Sequence, residues 1–330
     1  MLAALCASAA CADVWARGVA NDVAAGLERI KSYRGTTEET GISDGPVVRS
    51  VIFEKPARVR IETLEPAEHA GELFLYDGST VILWWPKALF GIRIRGVHTP
   101  TRAQIFEHIE RITRDNLRAY TFSLRSEDDR VAGHRTVTWA VRPARKAPYR
   151  FMHTVWNDER TTMPLAMTFS DDTRTPWYHF AFRDLAFDEP VTPDTFAFKF
   201  PDNAVVFDWD LDAPGITLDD AQRTSNFKVM VPASLPSGHR IEKIVRSSAT
   251  IPMIAIAMDH GASMLTLTES RYIATSLAPL GKTVTVGGQP AVLSFLGPFS
   301  SVTWVRDGTQ LTLTSNLGFP ELLAIADSVK

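Results

Sequence analysis

FEKPARVRIETLEP at residues 53–66, followed at once by GELFLYDGSTVILWWPK at residues 71–87, decides the fold. A Lys-Pro break leads into an Arg-x-Arg-x-Glu strand, Arg58 to Glu62. An apolar strand, an Asp77-Gly78 turn and a second strand ending in Trp84-Trp85 follow. Period-two alternation around an Asp-Gly turn predicts antiparallel hairpins. The second hairpin is apolar on both faces, since Leu73 to Tyr76 and Val81 to Trp85 are consecutive. An antiparallel sheet wetted on one side alternates. This one is expected to meet apolar material on each face, and a ligand is one candidate for it.

Strand patterns extend outward from that stretch. They fall at 34–42, 48–54, 57–64, 72–76, 80–85, 91–95, 119–125, 135–142, 149–157, 164–170, 176–183 and 196–200. Two helices accompany them. In the first, Asp13 is placed to cap, and Trp15, Val19, Val23, Leu27 and Ile30 recur at helical spacing. Gly18 and Gly26 cost it about 1 kcal/mol each against Ala, which argues for something packed closely on it. In the second, Thr99 is the expected cap, Pro100 suits the first turn, and Ile105, Ile109, Ile112 and Leu117 form the apolar face.

The texture changes at DWDLDAPGITLDD, whose five Asp and Pro-Gly predict a linker over 208–224. A domain over 13–207 would precede it and a small α+β domain over 225–330 would follow. The latter closes on a helix with Pro320 in its first turn and Leu322, Ile325, Ala326 and Val329 on one face. The 330 residues are enough for about two domains. The opening MLAALCASAACA, with Ala10-Cys11-Ala12 before Asp13, reads as a signal-peptide remnant over 1–12. An exported, periplasmic protein follows from that; a lipid anchor at Cys11 is the second reading. Both cysteines, Cys6 and Cys11, lie in this stretch, so a chain matured at Asp13 holds no thiol.

A net charge of −3 gives no basis for nucleic-acid binding. The sequence has no Gly-x-Ser-x-Gly elbow, no His-Glu-x-x-His and no Gly-rich phosphate loop. Tyr178-His179 beside Asp171-Asp172 is the nearest approach to a catalytic group, and strand-surface polarity explains it equally. The expectation is a non-enzyme with no cofactor and no metal.

Three stretches carry a family resemblance. FEKPARVRIE with LFLYDGSTVILWWP resembles the front half of the LolA lipoprotein-carrier superfamily. TVWNDERTTMPLAMTFSDD (154–172) and FRDLAFDEPVTPDTFAFKFPDNA (182–204), with Pro193, Phe196 and Phe198, resemble its later strands. SLPSGHRIEKIVRSS (234–248), the Trp304-to-Gly308 turn and LLAIADSV are similar to the C-terminal module of RseB/MucB-type sigma-factor regulators. The resemblance implies a mainly β fold with α: an unclosed, curved antiparallel β-barrel wrapped over helices, then a small α+β domain. It further implies an apolar cavity for lipid acyl chains or a lipoprotein, and the periplasmic part of a membrane-bound anti-sigma factor as partner. A LolA-type carrier is the alternative role, and an enzyme on a curved sheet is a third.

On that reading the cavity candidates are Phe74, Trp84, Phe90, Phe106 and Ile109, together with Phe122, Trp139, Met152 and Trp156. Each also fits an ordinary core position. The stretch VRPARKAPYR (141–150) carries Arg142, Arg145, Lys146 and Arg150 without an acid, which suits anionic head groups or a solvated hairpin tip.

Overall fold

The computed structural model describes residues 9–144, 152–170, 175–247, 253–271, 280–296 and 299–330. Helix α1 (Ala9–Glu28) leads into β1 (Ser32–Thr40), β2 (Val47–Glu54) and β3 (Arg58–Glu65). The double-sided hairpin forms β4 (Leu73–Tyr76) and β5 (Thr80–Trp85), and β6 (Phe90–Arg95) follows. After α2 (Arg102–Ala119) come β7 (Tyr120–Val131), β8 (His134–Pro143), β9 (Met152–Asp158), β10 (Pro164–Ser170), β11 (Pro176–Phe187) and β12 (Val205–Asp210). Then come α3 (Leu218–Thr224), β13 (Lys243–Arg246), β14 (Met253–Ala257), β15 (Leu265–Arg271) and β16 (Lys282–Val286). β17 (Gln289–Leu296), β18 (Phe299–Arg306), β19 (Thr309–Ser315) and α4 (Phe319–Ser328) complete the chain.

Two compact units result. One comprises Met1–Pro56, Thr63–Pro66 and Pro100–Thr192, the other Ala57–Glu62, Ala67–Thr99 and Pro193–Lys330. In the first, strands run in the order β2-β1-β11-β10-β9-β8-β7, each antiparallel to its neighbour. The sheet is open, with β7 at its end. Its core joins Ile30, just after α1, to Met163, Leu165 and Phe182, flanked by Tyr33, Phe53 and Phe180. Tyr33 and Phe53 face each other across β1 and β2 with rings stacked 5.2 Å apart. Each such side chain contributes about 1.5–3 kcal/mol on burial.

α1 begins at Ala9, so Ala10-Cys11-Ala12 and Asp13 lie within the helix and Asp13 is not its cap. Of the two helix glycines, Gly26 meets the expected close neighbour: a Cβ there would overlap the carbonyl of Thr161. Gly18 faces open space. α2 is capped by Thr101 rather than Thr99. The Thr101 hydroxyl accepts from Gln104 N and the Gln104 side chain accepts from Thr101 N, a reciprocal capping box. The Thr99 hydroxyl is used elsewhere, 2.9 Å from Tyr76 Oη.

The second unit holds the order β12-β6-β5-β4-β3 and a second sheet, β13-β14-β15-β19-β18-β17-β16. The second sheet is antiparallel throughout, and β12 runs parallel to β6. α4 starts at Phe319, has Pro320 in its first turn as expected, and buries Leu322, Leu323, Ile325 and Ala326. Val329 is its buried C-cap.

Two expectations are corrected here. The acidic run is not purely a linker, because its first residues are strand. Asp208 and Asp210 alternate with buried Phe207 and Trp209, and they pair with Arg93 and Arg95 on β6. Residues 218–224 form α3, capped by Thr217. Trp209 packs with Val245 and Ala255, against Ile92 and Ile94 of β6, which ties the first strands of this unit to its C-terminal sheet. Residues 196–200, expected as a strand, are irregular after the short turn Pro193–Phe196. Phe196, Phe198 and Phe200 alternate like a strand, but the rings of Phe198 and Phe200 lie on a sheet face and do not extend an edge.

Candidate functional site

The double-sided hairpin is covered on both faces by the protein itself. Leu73 faces Trp84 and Leu75 faces Ile82 across β4 and β5, and Trp84 faces Gly91 on β6. That face is covered by Phe198, Phe200 and Ala204. Phe200 makes an edge contact with Trp84 at 5.7 Å, and a Cβ on Gly91 would overlap the Phe200 ring. On the other face, Phe74 lies 5.9 Å from Phe299 of β18, and Ile92 and Ile94 pack toward Val245 and Ala255. Phe74 and Trp84, each less than a tenth exposed, therefore lie on opposite faces and do not share a wall. No ligand is needed to explain the consecutive apolar residues. Phe90 packs between Trp85 at 5.4 Å and Phe207 at 5.2 Å.

The candidates in the first unit are also split. Trp139 is opposite Val155 and Leu124, while Trp156 is opposite Thr138 and Ala166. Directly opposed residues share a face, and successive residues alternate. Trp139 and Phe122 thus belong to one face with Val141, Met167 and Phe169. Trp156 and Met152 belong to the reverse. Trp156 Nε1 donates to Asp129 Oδ2 at 3.2 Å, and Thr138 donates to the same oxygen at 2.6 Å. Hydrogen bonds from Thr138, then Ser126 and Trp156, hold the Asp129 carboxyl below the usual carboxylate range. Phe106 and Ile109 sit half-buried on α2. Of the basic stretch, Arg142 is exposed near the end of β8, and Arg145, Lys146 and Arg150 lie outside the described residues.

Polar groups that the sequence reading passed over are buried in the first unit. Arg49 on β2 forms an ion pair with Glu39 on β1, each side chain 5% exposed. Tyr178 donates to the same carboxylate at 3.3 Å, and burial raises its pKa. His153 lies between the rings of Tyr120 and Phe169, and burial pushes its pKa down to about 4. The signal was present in the sequence as charged residues at inward positions of period-two strands, but their mutual pairing depends on register.

His179 does not join a catalytic group with Tyr178. The two alternate on β11, and His179 Nδ1 lies 2.9 Å from Thr168 Oγ1. Asp171 and Asp172 lie outside the described residues. His239 Nε2 is 2.9 Å from Ser263 Oγ, yet Ser263 is fully buried and presents no nucleophile to a substrate. Among the described residues no group of three or more His, Cys, Asp or Glu is placed to hold a metal ion, and no helix is long and apolar enough to cross a membrane. An open depression over β1, β2 and β11, bordered by Arg34, Val51, Ile52, Asp184 and Leu185, involves none of the expected cavity residues.

Comparison with known proteins bears on this architecture. The family model of the MucB/RseB N-terminal domain matches residues 91–199, from β6 through Lys199. The solved structure of MucB is similar over 95% of this chain and 97% of its own, at 15% identity and a TM-score of 0.51. The chain thus combines a MucB/RseB N-terminal domain match over about a third of its length with a MucB-like fold. Its MucB/RseB-like fold extends through the second sheet. The complex structure of Pseudomonas aeruginosa MucA/MucB is similar over 96% of this chain and 98% of that one, at 16% identity and a TM-score of 0.48. A putative outer membrane lipoprotein-sorting protein domain from Vibrio parahaemolyticus is similar over 56% of this chain and 97% of that one, at 14% identity and a TM-score of 0.30. No curated protein matches the sequence.

Proposed function

We infer that this chain is a non-catalytic, exported regulator of the MucB/RseB type. It binds the periplasmic part of a membrane-bound anti-sigma factor and responds to a lipid or lipoprotein. The observation that carries this reading is the joint presence of the MucB/RseB N-terminal domain match and a second sheet in the same MucB-like fold. A carrier of the LolA type needs no second domain, so the C-terminal sheet favours a docking role. MucB itself has been solved in complex with MucA(peri), which supplies the class of partner.

The test uses the full chain and the periplasmic segment of the anti-sigma factor from the same organism. Calorimetry is expected to give a saturable complex that a short-chain anionic lipid weakens. Absence of a complex, together with transfer of lipoprotein between membranes by the chain, would replace the regulator by the carrier.

A further inference from the structure

One face of β3 to β6 has an unusual cross-section. Its middle two strands present hydrocarbon and aromatic surface, Leu73 and Leu75 on β4 with Ile82 and Trp84 on β5. Its two flanking strands present arginine. Arg60 is opposite Leu75, and Arg58 lies two residues away on the same side. Arg93 is opposite Ile82. An apolar strip two strands wide is therefore bordered by guanidinium groups on both sides, with Glu62, opposite Leu73, paired to Arg60 at 2.7 Å.

What fills the strip is a segment without regular structure. Residues 193–204 cross it, and their main-chain hydrogen bonds, Ala197 to Asp194 and Ala204 to Pro201, are local. Contact with the sheet is made by side chains. Phe198 lies 6.1 Å and Phe200 5.7 Å from Trp84. Arg58 stands over Phe196 at 4.8 Å, Arg93 stands over Phe200 at 5.8 Å, and Arg60 Nη1 donates to Thr195 O at 3.4 Å. Gly91 leaves the place where the Phe200 ring lies. A segment anchored by rings and not by a hydrogen-bonded ladder is separable from the sheet without breaking β pairing. Ring-stacked guanidinium groups offer charge-assisted donors once the rings leave.

We propose that residues 193–204 are a displaceable strap, and that the strip beneath Phe198 and Phe200 is a binding site for a single alkyl chain carrying an anionic head. The chain replaces the two rings over Leu75, Ile82 and Trp84, and the head is held by Arg58 and Arg93. Arg93 exchanges part of its pairing with Asp208, 3.0 Å away, for the incoming anion. This rests on the lipid-responsive part of the proposed function and adds to it the site and its built-in competitor.

The experiment measures binding of 11-(dansylamino)undecanoic acid to the full chain by fluorescence titration. Removing the competitor, Phe198→Ala with Phe200→Ala, is expected to tighten binding at least tenfold. Arg58→Gln with Arg93→Gln is expected to weaken the acid but leave dodecanol, competed against the same probe, unchanged. Competition by dodecanoate against a lysophosphatidylglycerol separates a free fatty acid from a lipid as the source of the chain. In the unmodified protein, hydrogen exchange of residues 193–204 is expected to quicken when the probe is added. Unchanged exchange there, or equal affinity in a folded double-Phe variant, would overturn the strap. Anti-sigma binding measured on the same variants keeps the two readings apart, since its retention with no strap effect overturns the strap alone.

Discussion

The Arg49 guanidinium and the Glu39 carboxylate form an ion pair across β2 and β1 inside the first unit, with each side chain 5% exposed. Thr37, opposite Arg49 in register, donates to the Arg49 carbonyl at 3.5 Å, and Tyr178 donates to Glu39. Removing one partner of a buried pair strands the other charge, at a cost of about 3–5 kcal/mol. Arg49→Met should lower stability by that amount in urea unfolding. Arg49→Met with Glu39→Leu should recover most of it, because an apolar pair of similar volume needs no solvation. A double variant no better than the single would show that the pair is needed for more than its own charge balance.

Burial of His153 works against the first unit at low pH. Its folded pKa is depressed to about 4 by burial, below the ordinary histidine value. The unfolded chain therefore takes up a proton near pH 6.5 that the folded chain refuses. Stability from this group is complete above about pH 6.5 and falls as the pH drops toward about 4. Histidine ring signals in NMR should show His153 still neutral at pH 5, and His153→Phe should flatten the acid side of the stability curve.

Glu269 acts in the opposite direction in the second sheet. It is fully buried on β15, and burial raises its pKa to about 8 although Met230 N donates to both carboxyl oxygens at 3.2 and 3.0 Å. The folded state keeps a proton that the unfolded state loses near pH 4.3. Stability from this group is complete below that value and is lost as the pH rises through about 8. Glu269→Gln keeps an acceptor for Met230 N and should remove this alkaline slope in thermal melts at pH 6 to 9. A slope unchanged in the variant would mean that another group carries it.

The two glycines of α1 should respond with opposite signs. Gly18 is exposed with open space at its Cβ, so Gly18→Ala should stabilise by about 1 kcal/mol through helix propensity. Gly26→Ala gains the same propensity but sets a methyl against the Thr161 carbonyl, which is backbone and does not swing aside. Overpacking of this kind costs about 1–3 kcal/mol, so the net change should be a loss. Parallel denaturant curves of the two variants check the difference.

The sequence by itself determined the local elements. The Asp77-Gly78 turn, the alternation in β1, β2 and β8 to β11, and Pro320 in the first turn of α4 all express interactions within a few residues, which periodicity and turn chemistry report directly. The resemblance carried by the strand patterns was legible for the same reason. The tertiary structure decided how faces are occupied. Consecutive apolar residues at 73–76 and 81–85 say that both faces are dry, but not that Phe198 and Phe200 cover one and the second sheet covers the other. Phe196, Phe198 and Phe200 carry a strand's alternation without joining a ladder, while Asp208 and Asp210 look like linker and are strand. Trp139 and Trp156 fall on opposite faces because the β8–β9 register sets Trp139 against Val155 and Thr138 against Trp156. Parity and cover depend on residues distant in the chain, and a one-residue shift reverses them, so they are properties of the assembled sheet and not of any local run of sequence.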